Sequence, residues 1–198
     1  MKRIALPVAL AATGLLVFPA ISPAFKFGAK LNRQPDNSAP PHTCSDDGGP
    51  TVSSPCTRVL VSSETGFAGG NLKSPSNGVV TKFKVRAGAP GTIRFKLVRL
   101  KNVTNKTAQG KARAKSKQFQ VQGNGFNASN FIETFNVNMK VKKGDYLAID
   151  SSSTSAERCT SGSTRQLIWS PRLKIGDPFR TNDSDGNCTL MVQAVGHK

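Results

Sequence analysis

The chain has 198 residues and a formal net charge of +17, from 28 Lys and Arg against 11 Asp and Glu. That length suits one principal domain rather than several. The two histidines, His42 and His197, stand in a polar lead-in and beside the last residue, and there is no GxSxG elbow, so Ser–His or Cys–His nucleophilic catalysis is not expected.

Residues 1–24 read as a secretory signal. Lys2 and Arg3 precede an apolar run over residues 4–18, broken by Pro7, Thr13 and Gly14, and the small residues Ser22, Pro23 and Ala24 then suit a signal peptidase. The run is too short for a typical membrane span, and cleavage is expected after Ala24. Its removal takes away two positive charges and no negative one, so the exported chain stays strongly basic. No second long apolar run follows, so no transmembrane segment is expected after cleavage, and the protein is expected to be secreted.

An oxidising compartment gives the four cysteines a meaning. Three connectivities are possible, and we favour Cys44–Cys56 with Cys159–Cys188, because the first pair brackets a short Pro-, Gly- and Asp-rich stretch. Two such bridges would contribute about 2–4 kcal/mol each. A zinc site is the rival, but no CxxC pair is present. Metal and cofactor are therefore expected to be absent.

Residues 25–56 read as a flexible N-terminal segment ending in a small disulfide loop, with turn chemistry at Asp46, Asp47, Gly48, Gly49 and Pro50. Residues 57–198 show short alternating runs between Gly, Pro, Asn and Ser and no sustained helical period, which predicts an all-β domain. The clearest pair is 79–86 with 92–100, expected as a hairpin around residues 87–91 with Val85 opposite Ile93 and Phe83 opposite Phe95. That register sets Lys84 opposite Arg94 and Lys82 opposite Lys96 on the other face. Residues 101–117 read as a long basic loop, with a weakly alternating strand over 117–122. Strands are expected over 131–141, with Phe135, Val137, Met139 and Val141 on one face, and then over 146–150, 165–169 and 189–195. Eight or so strands predict a two-sheet antiparallel β-sandwich, jelly-roll-like, with two disulfides.

Between Glu64 and Glu133 there is no acidic residue, while Lys and Arg occur thirteen times. A surface of one sign attracts a partner of the other. The expected anion-binding set is Lys82, Lys84, Arg86, Arg94 and Lys96 on the hairpin, with Lys111, Arg113, Lys115 and Lys117 on the loop. Export and the lack of stacking aromatics among these lysines argue against nucleic acid. An anionic polysaccharide or cell-wall polymer suits the compartment better.

Three stretches carry a resemblance: residues 78–88 (GVVTKFKVRAG), residues 141–150 (VKKGDYLAID) and residues 169–171 (WSP). In this order they resemble a group of uncharacterised secreted single-domain β-sandwich proteins of high-GC Gram-positive bacteria, over roughly residues 57–195. The resemblance implies a sandwich fold, export and a bacterial source, and it brings no catalytic or ligand residues.

Other chemistry is sparse. Glu133, Asp145, Asp150 and Glu157 are the core carboxylates from which a glycosidase-type acid pair could be drawn, but Asp145 reads as a turn residue and Glu133 as an exposed strand position. Residues 182–187 (NDSDGN) suggest a calcium loop but lack the first acid and the late bidentate Glu, so an Asx-rich turn is expected. Trp169, the lone tryptophan, is expected in the core or at an edge. The leading expectation is a non-catalytic secreted sandwich that adheres to anionic polymers. The alternatives are a structural cell-surface protein whose charge serves solubility only, and a polysaccharide-active enzyme using a carboxylate pair.

Overall fold

The computed structural model describes residues 23–35, 56–62, 71–104, 106–123, 131–151, 156–159 and 166–198. Residues 1–22 of the expected signal, His42, Cys44 with its turn-rich loop, and the side chains of Glu157 and Cys159 lie outside the described residues. In chain order the strands are β1 (Ala24–Gly28), β2 (Cys56–Leu60), β3 (Gly78–Val85), β4 (Gly91–Lys101), β5 (Gln109–Val121), β6 (Glu133–Val141), β7 (Tyr146–Ser151), β8 (Glu157–Cys159), β9 (Gln166–Trp169), β10 (Arg180–Thr181), β11 (Ser184–Gly186), β12 (Cys188–Leu190) and β13 (Val192–His197). No helix occurs among the described residues.

The strands form a four-stranded sheet, ordered β1-β13-β3-β6, and a seven-stranded sheet, ordered β10-β5-β4-β7-β2-β9-β11; β12 and β8 make a separate ribbon. Every strand pair is antiparallel. Alternation explains which residues meet between the sheets. Phe27, Val80, Phe83, Val85 and Ala194 point inward from the smaller sheet, and Ile93, Phe95, Leu97, Leu147 and Ile149 from the larger one, all fully buried in one cluster. Burying a side chain of this kind contributes about 1.5–3 kcal/mol, so this shared interior holds the two layers together. The expected inward set of β6 is also found there, with Met139 and Val141 buried and Phe135 and Val137 packed against the cluster.

The seven-stranded sheet has a second apolar cluster on its outer face, built from Val59, Val98, Leu100, Tyr146, Ala148, Leu167, Trp169 and Leu173. Central strand β7 is buried on both faces as a result. Trp169 is fully buried, as expected of a core residue, and its Nε1–H donates to the Arg180 carbonyl at 2.8 Å. Its ring packs so closely over β5 that a Cβ added at Gly110 would lie 2.6 Å from its Cζ2.

Three expectations are corrected. The 79–86/92–100 hairpin does not form: β3 and β4 belong to different sheets. Residues 86–90 carry the chain from one layer to the other, and Phe83 meets Phe95 across the interior, rings stacked at 4.4 Å and 5°. The inward assignment was right and the pairing wrong, because alternation specifies a face and not a neighbour. Second, residues 101–117 are not a loop throughout, since β5 runs from Gln109 to Val121 along β4. Third, the expected flexible lead-in supplies β1, whose Phe25 and Phe27 pack into the core beside β13.

Candidate anion-binding site

The new pairing redistributes the basic residues. Lys82 and Lys84 lie on the outer face of the four-stranded sheet, where Lys82 stands between Val195 and Asn136, and Lys84 between Gln193 and Thr134. No cation opposes another on these rungs, so the cross-strand repulsion implied by the hairpin disappears. Lys26, opposite Val195, and Lys140, opposite Val79, extend the same face, and both are exposed. Arg86 is not a surface residue. It is 2 % exposed and its Nη1 donates to the Leu31 carbonyl at 3.5 Å.

Arg94 and Lys96 point outward from the opposite layer. In the ladder Arg94 stands between Gln118 and Asp150, and Lys96 between Lys115 and Ala148. Two bulges in β5 set this arrangement. Between the rungs Arg94–Gln118 and Lys96–Lys115, β5 has one residue more than β4, and the Phe95 N–H donates to Ser116 Oγ at 3.0 Å instead of continuing the ladder. The second bulge leaves exposed Arg113 between the rungs Leu97–Ala114 and Val98–Ala112. Bulges of this kind re-aim side chains at a sheet rim. Here they keep Lys115 on the outer face beside Lys96. Lys111, paired with Arg99, lies towards the far end of the strand.

Residues 171–175 fold over this outer face and close a cavity of about 270 Å³, lined by Arg94, Lys96, Lys115, Asp150, Arg172, Leu173, Lys174 and Ile175. Five cations and one carboxylate therefore face the same space. The Lys96 ammonium forms its floor, with Asp150 Oδ1 at 2.7 Å, Thr57 Oγ1 at 3.1 Å and the Leu173 carbonyl as partners. Thr57 in turn donates to Asp150 Oδ1 at 2.7 Å and accepts from the Leu173 N–H at 3.0 Å, which anchors the covering segment to the sheet. Burial pushes Lys96 below the ordinary lysine value of 10.5; Asp150 opposes the shift, and Arg172 and Arg94 add to it. Two polar atoms in the cavity wall are buried without a hydrogen-bond partner: Arg94 Nε and Asp150 Oδ2.

A second concavity of about 240 Å³ lies where β5 and β6 face each other at the edge of the two layers. Lys115, Ser116, Lys117 and Phe119 line one side, and Asn136, Val137, Asn138 and Met139 the other. The Lys117 ammonium sits 5.4 Å from the centre of the Phe119 ring, which packs on Phe135 at 4.6 Å. Lys115 lines both concavities, and Asn136 adjoins Lys82 in the ladder. Arg94, Lys96, Lys115, Lys117 and Lys82 thus follow one another around the rim from one outer face to the other. Arg172 and Lys174 join them without having been singled out from sequence. No periodic signal marks these two, since they lie in an irregular segment.

Of the carboxylates weighed as catalytic, Glu133, Asp145 and Asp150 have hydrogen-bond or ion-pair partners within the protein. Glu133 accepts from the Gln122 and Gly123 N–H groups, at 2.8 and 3.4 Å. Asp145 is buried, accepts from the Lys142 N–H at 2.9 Å and pairs with Arg99 at 2.6 Å. In the 182–187 segment the Asn182 side chain bonds the backbone of Ala108, Lys106 and Ser184, and Asp183 accepts from the Ser170 N–H. No group of three or more metal-ligating side chains occurs among the described residues. Comparison of the chain with family models, curated proteins and solved structures finds no match.

Proposed function

We propose that the protein is a secreted, non-catalytic β-sandwich that binds an extended anionic polymer, of the cell-wall or polysaccharide type, along the basic rim of its two sheets. The observation carrying this reading is that Lys115 lines both concavities, so a chain could pass from the cleft at Arg94 and Arg172 to the groove at Lys117 and Asn136 and meet cations throughout. Among the described residues the one acid on that path, Asp150, has its charge offset by Lys96. Clefts lined by one sign of charge concentrate an oppositely charged ligand.

The fold is a jelly roll on this reading. The orders β1-β13-β3-β6 and β2-β7-β4-β5 support it, with β8–β12 inserted before the last strand. Export after cleavage behind Ala24 would leave Phe25 and Phe27 to complete the first strand. Replacing Lys82, Lys115 and Lys117 by Ser is expected to lower the salt needed to elute the protein from an anionic polysaccharide matrix. The same number of serines at Lys30, Lys142 and Lys143, all exposed and away from the rim, is expected to lower it far less. Equal shifts for the two variants would mean that net charge alone is being read.

The two disulfides belong to the same proposal. Cys188 stands opposite Cys159 in the β12–β8 ladder, a placement compatible with a bridge. Peptide mapping without reduction is expected to recover Cys159 linked to Cys188 and Cys44 linked to Cys56. A fragment joining Cys56 to Cys188 would reject the assignment.

A further inference from the structure

We infer that the cleft under residues 171–175 is a selective site for a phosphate group that still carries a proton, either inorganic phosphate or a phosphomonoester end. The inference deepens the polymer-binding reading, since the cleft is one end of the same basic rim, but the selectivity rests on its own observation. Arg94 and Asp150 face each other directly across β4 and β7, and both line the cavity. Arg94 Nε, a donor, and Asp150 Oδ2, an acceptor, are both buried without a hydrogen-bond partner. A buried polar atom left unpaired is unfavourable, so a ligand that completes both atoms is favoured over one that completes only the donor.

The chemistry of the wall defines that ligand. Arg94, Arg172, Lys115 and Lys174 offer a compact oxyanion donors and positive charge from several sides. Guanidinium forks match tetrahedral oxyanions well. Asp150 adds the opposite requirement. Its other oxygen is held by Lys96 and Thr57, so the carboxylate stays in place and Oδ2 is left to accept. Hydrogen phosphate and a phosphomonoester monoanion can donate an O–H to it while their remaining oxygens accept from the cations. Sulfate has the same shape and, beside hydrogen phosphate, the same charge, but no proton to give. A phosphodiester also lacks the proton. Both would set an oxygen lone pair against the Asp150 carboxylate. The cavity volume of about 270 Å³ takes a phosphate with room for a small attached group, so monoester ends fit as well as the free ion.

The test is calorimetric titration of the full chain with inorganic phosphate, glucose 6-phosphate, sulfate and dimethyl phosphate at matched ionic strength. It is run at about pH 7.5 and again at about pH 5.5, where a monoester with its second pKa of about 6 keeps its proton. Phosphate is expected to bind about tenfold or more tightly than sulfate, and dimethyl phosphate is expected to bind weakest. At about pH 5.5, glucose 6-phosphate matching or exceeding phosphate would identify a monoester end as the source, and its failure there beside binding of phosphate would identify the free ion. Arg94→Gln and Arg172→Gln are each expected to lose binding of all anions by about tenfold. In Asp150→Asn the preference of phosphate over sulfate is expected to collapse. If that variant fails to fold, the wild-type ratio and the arginine variants still decide. Sulfate binding as well as phosphate, no binding of either, or unchanged affinity in both arginine variants would overturn the inference. Loss of matrix retention in a Lys82→Ser, Lys117→Ser double variant, neither residue lining the cleft, with phosphate binding intact separates the polymer reading from this one.

Discussion

Lys96→Met is expected to destabilise the protein by about 3–5 kcal/mol, because it leaves the Asp150 carboxylate in the interior without its counter-charge. Lys96 is 2 % exposed, and all three of its donors are used, on Asp150, Thr57 and the Leu173 carbonyl. Removing the ammonium therefore strands a buried charge and loosens the segment that covers the outer face. Replacing both partners, Lys96→Met with Asp150→Leu, removes the charge along with its partner and is expected to recover most of the loss. Urea unfolding of the two single variants and the double variant closes the cycle. A double variant no more stable than the worse single one would contradict a coupled pair. The same lysine gives a pH signature. Its proton is held less tightly in the folded state than in the unfolded one, so between the lowered folded value and 10.5 the unfolded state binds the extra proton and stability rises with pH. The difference in stability between wild type and Lys96→Met should therefore widen as pH approaches 10.5.

Trp169→Ala is expected to cost a comparable amount, about 3–5 kcal/mol. Trp169 is fully buried in the outer cluster, where it is flanked by Val59, Leu167 and Leu173, and it ties β9 to β10 through the Arg180 carbonyl. Truncation opens a cavity under the same covering segment that forms the cleft, so anion binding is expected to weaken with stability. Gly110→Ala tests the packing from the other side. A Cβ there would come within 2.6 and 2.9 Å of two indole carbons, and overpacking of that kind costs about 1–3 kcal/mol. Because Trp169 is the only tryptophan, its emission reports directly on this cluster. Red-shifted emission in the native wild type, or a stable Trp169→Ala, would contradict its place in the core.

Much of the strand content was readable because its physics is local. Phe135, Val137, Met139 and Val141 alternate with polar residues, and β6 places them inward as the alternation requires. Residues 109–116 of strand β5 escaped the same reading for two reasons, although its end over 117–121 was expected. Its inward and sheet-packed positions hold Gly110, Ala112, Ala114 and Ser116, which are too small to register as a hydrophobic face; Gly110 must be small because Trp169 lies on it. Its two bulges also shift the parity of alternation twice within one strand. Lys111, Arg113, Lys115 and Lys117 thus looked like loop charges, although they belong to the longest strand described. Arg86 and Lys96 looked like surface charges for the opposite reason: their outward parity was read correctly or nearly so, but what covers them comes from distant segments around Leu31 and Leu173.

By itself, then, the sequence determined the β character of the chain, the inward face of most strands and the sign of the surface, because a period of two and a charge count depend only on neighbouring residues. Tertiary structure alone decided which strands pair, that Phe83 meets Phe95 across the layers, that Lys96 is neutralised by Asp150, and that Arg172 and Lys174 complete a cleft with Arg94 and Lys115. Alternation is satisfied equally by a hairpin and by two facing sheets. Only the closure of the whole interior, over contacts far apart in sequence, selects between them.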